Sequence, residues 1–105
     1  MKRTIHHEKD ALLNVMTLEL TQDSKTEPHF NKDRDEVIFI LEGKIVIHFD
    51  YGKSVHISSS DKDPWYLIKA NTTHQIICET ANVRLLEAIG GIHTPDCCVA
   101  STFKV

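Results

Sequence analysis

The sequence predicts an all-β fold, a sandwich or barrel of short strands. Three observations carry this reading. The dominant hydrophobic period is two rather than 3.6. Short apolar runs recur at spacings of about ten residues. Clusters of turn-forming residues separate them, notably "EGK" at 42–44, "DYGK" at 50–53, "SSSDKDP" at 58–64 and "KANTT" at 69–73.

Taken in order, "LLNVMTLEL" (12–20) alternates Leu12, Asn14, Met16, Leu18 and Leu20 against Leu13, Val15, Thr17 and Glu19. "EVIFIL" (36–41) is β-branched and aromatic, and apolar on both faces, as expected of a strand that is central or covered by a partner subunit. "KIVIHFD" sets Ile45, Ile47 and Phe49 against Val46 and His48, which places His48 on an outer or interface face. "KSVHIS", "WYLIK" and "HQIIC" are further short strands. "CETANVRLLEAIGG" (78–91) admits two readings: a helix closed by Gly90, or a strand after a tight turn. Its length and the run "NVRLL" favour the strand.

With 105 residues, one domain is expected over 1–105: an N-terminal arm (1–10), a β-barrel (11–90) and a C-terminal tail or strand (91–105). The net charge of −3 comes with no basic block, which argues against nucleic acid or an anionic membrane as partner. The longest apolar runs, "VIFIL" and "RLLEAIGGI", are too short to span a bilayer, and "MKRTIHHEKD" lacks the apolar stretch of a signal peptide. Three cysteines (Cys78, Cys97 and Cys98) then read as reduced thiols in a cytoplasmic protein.

Seven histidines are the compositional oddity, and the question is which of them converge. The stretch "PHFNKDRDEVIFILEG" (28–43) runs from a polar loop into a strand and ends at a hairpin glycine. If Glu36 faces inward, Ile38 and Ile40 follow it. His29 and Asn31 then share that face, provided the loop turns once between 31 and 36. An inward carboxylate ahead of "VIFIL" would be costly without a cation or a partner. His74 opens a second strand whose same-face successors are Ile76 and Cys78.

His29-x-Asn31-x4-Glu36-x6-Gly43 resembles the first motif of the cupin superfamily, in which a second histidine usually stands at the position of Asn31. "LIKANTTHQIIC" resembles the second, with Lys69 for its proline, Asn71 for its glycine, His74 as its histidine and Cys78 for its asparagine. The fold implied is a single-domain cupin double-stranded β-helix, or jelly-roll barrel. A closer resemblance is to the WbuC family of small cupin metalloproteins, on "PHFNKDRDEVIFILEG", "RTIHHEKD" and "LLEAIGG"; these occur among genes of polysaccharide (O-antigen) biosynthesis.

The resemblance implies one divalent metal (zinc, iron, manganese or nickel) held by His29, Glu36 and His74. Two imidazoles and a carboxylate also make chemical sense as such a set, leaving positions open for water or substrate. Asn31 leaves three possibilities: weak ligation through its amide oxygen, a three-ligand centre with an extra water, or a decayed site. The three-ligand centre is expected, because three protein ligands suffice for a catalytic ion. Asp33 could substitute if the loop bends differently.

His56, Tyr66 and Cys78 are candidate pocket residues, although a structural role suits His56, and a small buried hydrophobe is the better expectation for Cys78. "HTPDCC" (93–98) reads as a surface tail. Arg3, His6 and His7 could fold over the barrel mouth or remain outside any ordered element. The expected function is a small cupin metalloprotein that acts on, or binds, a sugar-like or polar small molecule, with isomerase, epimerase or dioxygenase chemistry the choices if it is an enzyme. The alternatives are a non-catalytic ligand-binding barrel and a structural dimer with a degenerate site. A homodimer through outer sheet faces is expected.

Overall fold

The computed structural model describes residues 1–6, 12–22, 24–90 and 98–100. His7, residues 91–97 with His93 and Cys97, and residues 101–105 lie outside them. The strands are β1 (Lys2–Ile5), β2 (Leu13–Thr21), β3 (His29–Asn31), β4 (Glu36–Glu42), β5 (Lys44–Phe49), β6 (Ser54–Ser58), β7 (Trp65–Ile68), β8 (His74–Cys78), β9 (Asn82–Gly90) and β10 (Cys98–Ala100). One 3₁₀ turn, Asp50–Gly52, joins β5 to β6, and the described residues contain no α-helix.

Two antiparallel five-stranded sheets result, ordered β1-β2-β9-β4-β7 and β10-β3-β8-β5-β6. Strands adjacent in a sheet are mostly distant in sequence, the crossing pattern of a jelly roll. The period of two does its work here. Met16, Leu18 and Leu20 of β2, Ile38 and Ile40 of β4, Ile45 and Ile47 of β5, Ile76 of β8, and Val83, Leu85 and Ile89 of β9 meet between the sheets in one apolar core. Full burial of each such side chain stabilises the fold by roughly 1.5–3 kcal/mol. Residues 78–91 follow the strand reading: β9 alternates inward Val83, Leu85, Glu87 and Ile89 with outward neighbours.

The two chain ends and the outward face of β4 bear on three expectations. Part of the N-terminal arm is a strand, since β1 pairs with β2 from Lys2↔Glu19 to Ile5↔Met16. β4 lies inside its sheet, between β9 and β7, and Phe39 and Leu41 on its outward face are exposed in the single chain. Of the "HTPDCC" segment only Cys98 lies within the described residues, where it starts β10, which pairs with β3.

The β4–β5 hairpin turns at Gly43, whose φ of +88° lies where side chains are rarely tolerated. A Cβ there would run into the Asn82 carbonyl and lie 2.7 Å from Thr80 Oγ1. Gly43→Ala is therefore expected to destabilise the protein by at least about 2 kcal/mol, measured by urea denaturation. The clash is with the start of β9, β4's neighbour in the same sheet, and with the turn before it.

Candidate metal centre

Both sheets contribute to the centre. Glu36 is the first residue of β4 in one sheet; His29 and His74 face each other across β3 and β8 in the other. Loop-to-loop ties hold the three together. Asn71 takes a positive φ of 63°, which asparagine tolerates well where the motif carries glycine. Its backbone N–H donates to the Asn31 carbonyl at 2.9 Å, and its side-chain oxygen accepts from the Asp33 N–H at 3.0 Å. The Ala70 N–H donates to Asp35 Oδ1 at 2.8 Å. The loop before β8 is thus bound to the loop before β4, which carries His74 alongside Glu36.

One ligand atom from each of His29, Glu36 and His74 lies within 4.8 Å of the others. Glu36 and His74 are almost wholly buried, at 1% and 0% exposure. His29 Nδ1–H donates to the Glu27 carbonyl at 2.9 Å, and His74 Nδ1–H donates to the Thr72 carbonyl at 2.8 Å. A carbonyl can only accept, so each ring's proton sits on Nδ1 and the Nε2 lone pair is left for a ligand role.

Glu36 Oε1 and His74 Nε2 have no hydrogen-bond partner, although both are buried and only 3.5 Å apart. Two lone-pair donors facing each other in a dry interior form an unfavourable pairing unless a cation or a proton lies between them. The same proximity governs His74 in the metal-free chain. Burial works against its protonation, but the Glu36 carboxylate and the Thr72 carbonyl outweigh that, and its pKa is raised. His29 goes the other way: burial first, and facing His74 second, hold its pKa down. Of the two imidazoles, His74 is therefore the one that takes a proton more readily. These donors fit a divalent cation, two nitrogens and an oxygen being a set that zinc and iron accept.

Asn31 is buried, and its Nδ2 donates to Glu36 Oε2 at 2.9 Å. This bond orients the carboxylate. Asn31→Ala is expected to weaken metal binding about 10–100-fold without abolishing it, the usual effect of losing a group that positions a ligand. Competition against a chromophoric chelator measures this. Asp33 is exposed and accepts from Asn71 Nδ2 at 3.2 Å, so it does not reach the centre.

The other candidates separate. His56 is on the outer face of β6, where its Nδ1 lies 2.6 Å from the Glu79 carboxylate; Ile57 takes the inward position, and the alternation leaves His56 outside. His56 is not a pocket residue. Cys78 is inward but sits in the apolar core at the far end of β8, its thiol donating to the Thr80 carbonyl at 2.9 Å, so it does not line the site. Tyr66 packs on Phe49, with ring centroids 5.8 Å apart, and lines a cleft of about 420 Å³ that reaches Ile68 and Thr73. Ile68 is opposite Glu36 and Phe49 opposite His74, so this cleft adjoins the centre.

Two inward polar residues escaped the sequence reading: Asn14 on β2 and Glu87 on β9. Each sits in phase with an apolar face, Asn14 before Met16 and Leu18, Glu87 between Leu85 and Ile89. That break in the alternation was the available signal. Burial, with the Glu36 carboxylate adding to it and Arg3 opposing it, pushes the Glu87 pKa up to about 8.

A β-sandwich of this topology, with its centre between the two sheets, is the double-stranded β-helix of cupin proteins. Among solved structures, the chain is similar to an uncharacterized conserved protein with a double-stranded β-helix domain from Klebsiella pneumoniae, at 11% identity over 95% of this chain and 78% of the other, TM-score 0.79. It is similar to a cupin superfamily protein from Desulfitobacterium hafniense, at 17% identity over 88% and 77%, TM-score 0.72. It is also similar to the capsular polysaccharide assembling protein CapF from Staphylococcus aureus, at 15% identity over 99% of this chain and 35% of CapF, TM-score 0.74. No family model and no curated protein matches the sequence. At these identities the likeness establishes the fold. No helix among the described residues is long and apolar enough to cross a membrane.

Proposed function

We propose that this chain is a small metal-binding cupin in which His29, Glu36 and His74 hold one divalent cation and the barrel takes a polar, sugar-like small molecule. The observation that carries the metal is the pair of buried, unpartnered atoms Glu36 Oε1 and His74 Nε2 facing each other at 3.5 Å. The ligand class draws on the WbuC-like motifs and on the likeness to CapF, a capsular polysaccharide assembling protein. A role in polysaccharide, including O-antigen, assembly follows from these as part of the same proposal.

A bound cation would supply Lewis acidity, polarising a carbonyl or hydroxyl or activating water. His29 and His74 would hold it through Nε2, each ring fixed by its Nδ1–H bond to a backbone carbonyl. Isomerase or epimerase chemistry and dioxygenase chemistry both suit this donor set. Elemental analysis of the purified protein is the test, with one equivalent of metal expected. A metal-free protein that takes up no added zinc, iron, manganese or nickel would remove the reading. Turnover of nucleotide-linked sugars by the metal-loaded protein tests the enzymatic role, and binding without product would assign a non-catalytic one. That second reading is favoured by Asn31, which stands where the family has a ligand histidine and donates to Glu36 instead.

The partner on the outer sheet face is proposed to be a second copy of the chain. Phe39 pairs with Trp65 and Val37 with Leu67 on that face, and Phe39, Trp65 and Leu67 are exposed. Trp65→Glu is expected to convert a dimer to a monomer in size-exclusion chromatography with light scattering. A wild-type monomer would remove this part.

A further inference from the structure

β7 is the last strand of the first sheet, and β4 is its one partner strand among the described residues. In an antiparallel pair, backbone N–H and C=O groups turn toward the partner at every second residue and away from it at the others. Two hydrogen bonds fix the phase here. The Ile40 N–H donates to the Pro64 carbonyl at 2.7 Å, so Tyr66 and Ile68 turn their groups to β4. On the other side of β4, the Gly90 N–H donates to the Asp35 carbonyl at 3.3 Å. Val37 and Phe39 therefore serve β9 and leave Glu36 and Ile38 to β7, which is the same phase. The backbone groups of Trp65 and Leu67 thus point out of the sheet's edge, where no strand among the described residues meets them. Space lies beside that edge. The cleft of about 420 Å³ is lined by four successive residues, Tyr66, Leu67, Ile68 and Lys69, with Phe49 and Lys53 from the β5–β6 corner, and by none of the three metal ligands.

We propose that this edge docks an extended acidic segment of another protein, which joins the first sheet as a further strand. Strand addition draws affinity from main-chain hydrogen bonds and selectivity from side-chain pockets. The edge offers both. Leu67 presents a backbone donor and acceptor, and Phe49, Tyr66 and Ile68 wall the cleft for side chains that alternation turns between the sheets. Charge selects the acidic class. Lys53 and Lys69 are exposed and line the cleft, against one carboxylate among the described lining residues, Asp50. The Lys53 Nζ stands over the Phe49 ring, 5.6 Å from its centroid, which sets that charge at the cleft wall. Lysines on a free edge discourage self-pairing. A second copy would bring its own Lys53 and Lys69 to the same cleft, whereas carboxylates complement them. This edge site goes beyond the metal reading and does not depend on it. It also leaves room for a second copy on the outer face, because the side chains of Trp65 and Leu67 leave the sheet on that face while their backbone groups leave it at the edge.

Residue-resolved amide exchange on the free full chain reads the edge directly. The Leu67 N–H is expected to exchange on the order of a hundredfold faster than those of Tyr66 and Ile68, which are bonded to β4. Slow exchange at Leu67 would show the edge already covered, by a second copy or by another part of the chain, and would overturn the proposal. Fluorescence anisotropy then follows a labelled Glu-Val-Glu-Val-Glu peptide, with Lys-Val-Lys-Val-Lys as control and chelator present throughout, so that the outcome is independent of any metal. Saturable binding of the acidic peptide is expected, roughly tenfold or more tighter than that of the basic one, and weakened by salt. The double variant Lys53→Glu/Lys69→Glu changes two exposed residues and is expected to fold and to reverse the order. Two analogues of the acidic peptide, N-methylated on alternate residues, separate strand addition from charge attraction alone. An added strand bonds through one of its edges, so one analogue is expected to bind like the parent and the other about tenfold or more weakly, the scale of losing two main-chain hydrogen bonds. Parent-like binding by both analogues, or loss by both, would sink the idea. So would an unchanged preference in the double variant, basic-peptide binding as tight as acidic, or no binding of either peptide.

Discussion

His74→Ala is expected to leave the purified protein without stoichiometric metal, its affinity lowered by at least about a hundredfold, the upper end of what losing a merely orienting group costs. The reason is geometric. Only His29 and Glu36 would remain of three ligands, from opposite sheets, and the space that His74 fills with 0% exposure would be vacated. The variant should also be less stable without metal. Glu36, 1% exposed, would lose the imidazole that stands 3.5 Å from it, and removing one member of a buried pair costs about 3–5 kcal/mol. The double variant Glu36→Gln/His74→Ala removes the stranded carboxylate and should recover part of that loss. Elemental analysis and urea denaturation read the two effects separately. An His74→Ala protein that still carried one equivalent of metal would show that the imidazole is structural.

The sequence made the centre legible because its parts lie at strand starts. Alternation puts Glu36, Ile38 and Ile40 on one face, and "NTTH" ends in a histidine that opens β8, so an inward imidazole and an inward carboxylate were both readable. Their meeting depended on the second sheet folding over the first, which only the resemblance to a known motif could suggest. The role of Asn31 was not readable: ligand, bystander and clamp have the same spacing, and the choice is made by the direction of an amide toward Glu36. His56 was misplaced although the alternation was readable: "SVHIS" sets Val55 and Ile57 against Ser54, His56 and Ser58, so an inward apolar pair puts His56 outside. Its partner Val46 is buried even though it lies on the outer face, so burial there does not report the inside of the barrel. Asn14 and Glu87 were hidden by the rule that served elsewhere. A single polar residue inside an apolar period reads as noise until the register shows two such exceptions as diagonal neighbours on adjacent strands.

Glu87→Gln is expected to make the metal-free protein more stable at alkaline pH and to leave it unchanged in acid. Unfolded, this carboxyl titrates near 4.5; folded, burial and the Glu36 carboxylate hold it at about 8. Below pH 4.5 both states carry the proton, and the group costs folding nothing. Between 4.5 and about 8 the unfolded chain ionises while the folded one keeps its proton, so stability falls as pH rises. Above that the loss is constant, on the order of a few kcal/mol. His74 tilts the curve the same way: its raised folded pKa contributes stability below its ordinary value of 6.5 that is lost as pH rises through the folded value. It is present in both proteins, so the difference between wild type and variant isolates Glu87. Urea denaturation with chelator present, below pH 4.5 and above pH 8, should give a gap that opens only on the alkaline side. Equal stabilities at both ends would mean that the Glu87 carboxylate is accommodated by the fold, with Arg3, which already favours its ionised form, the residue to vary next.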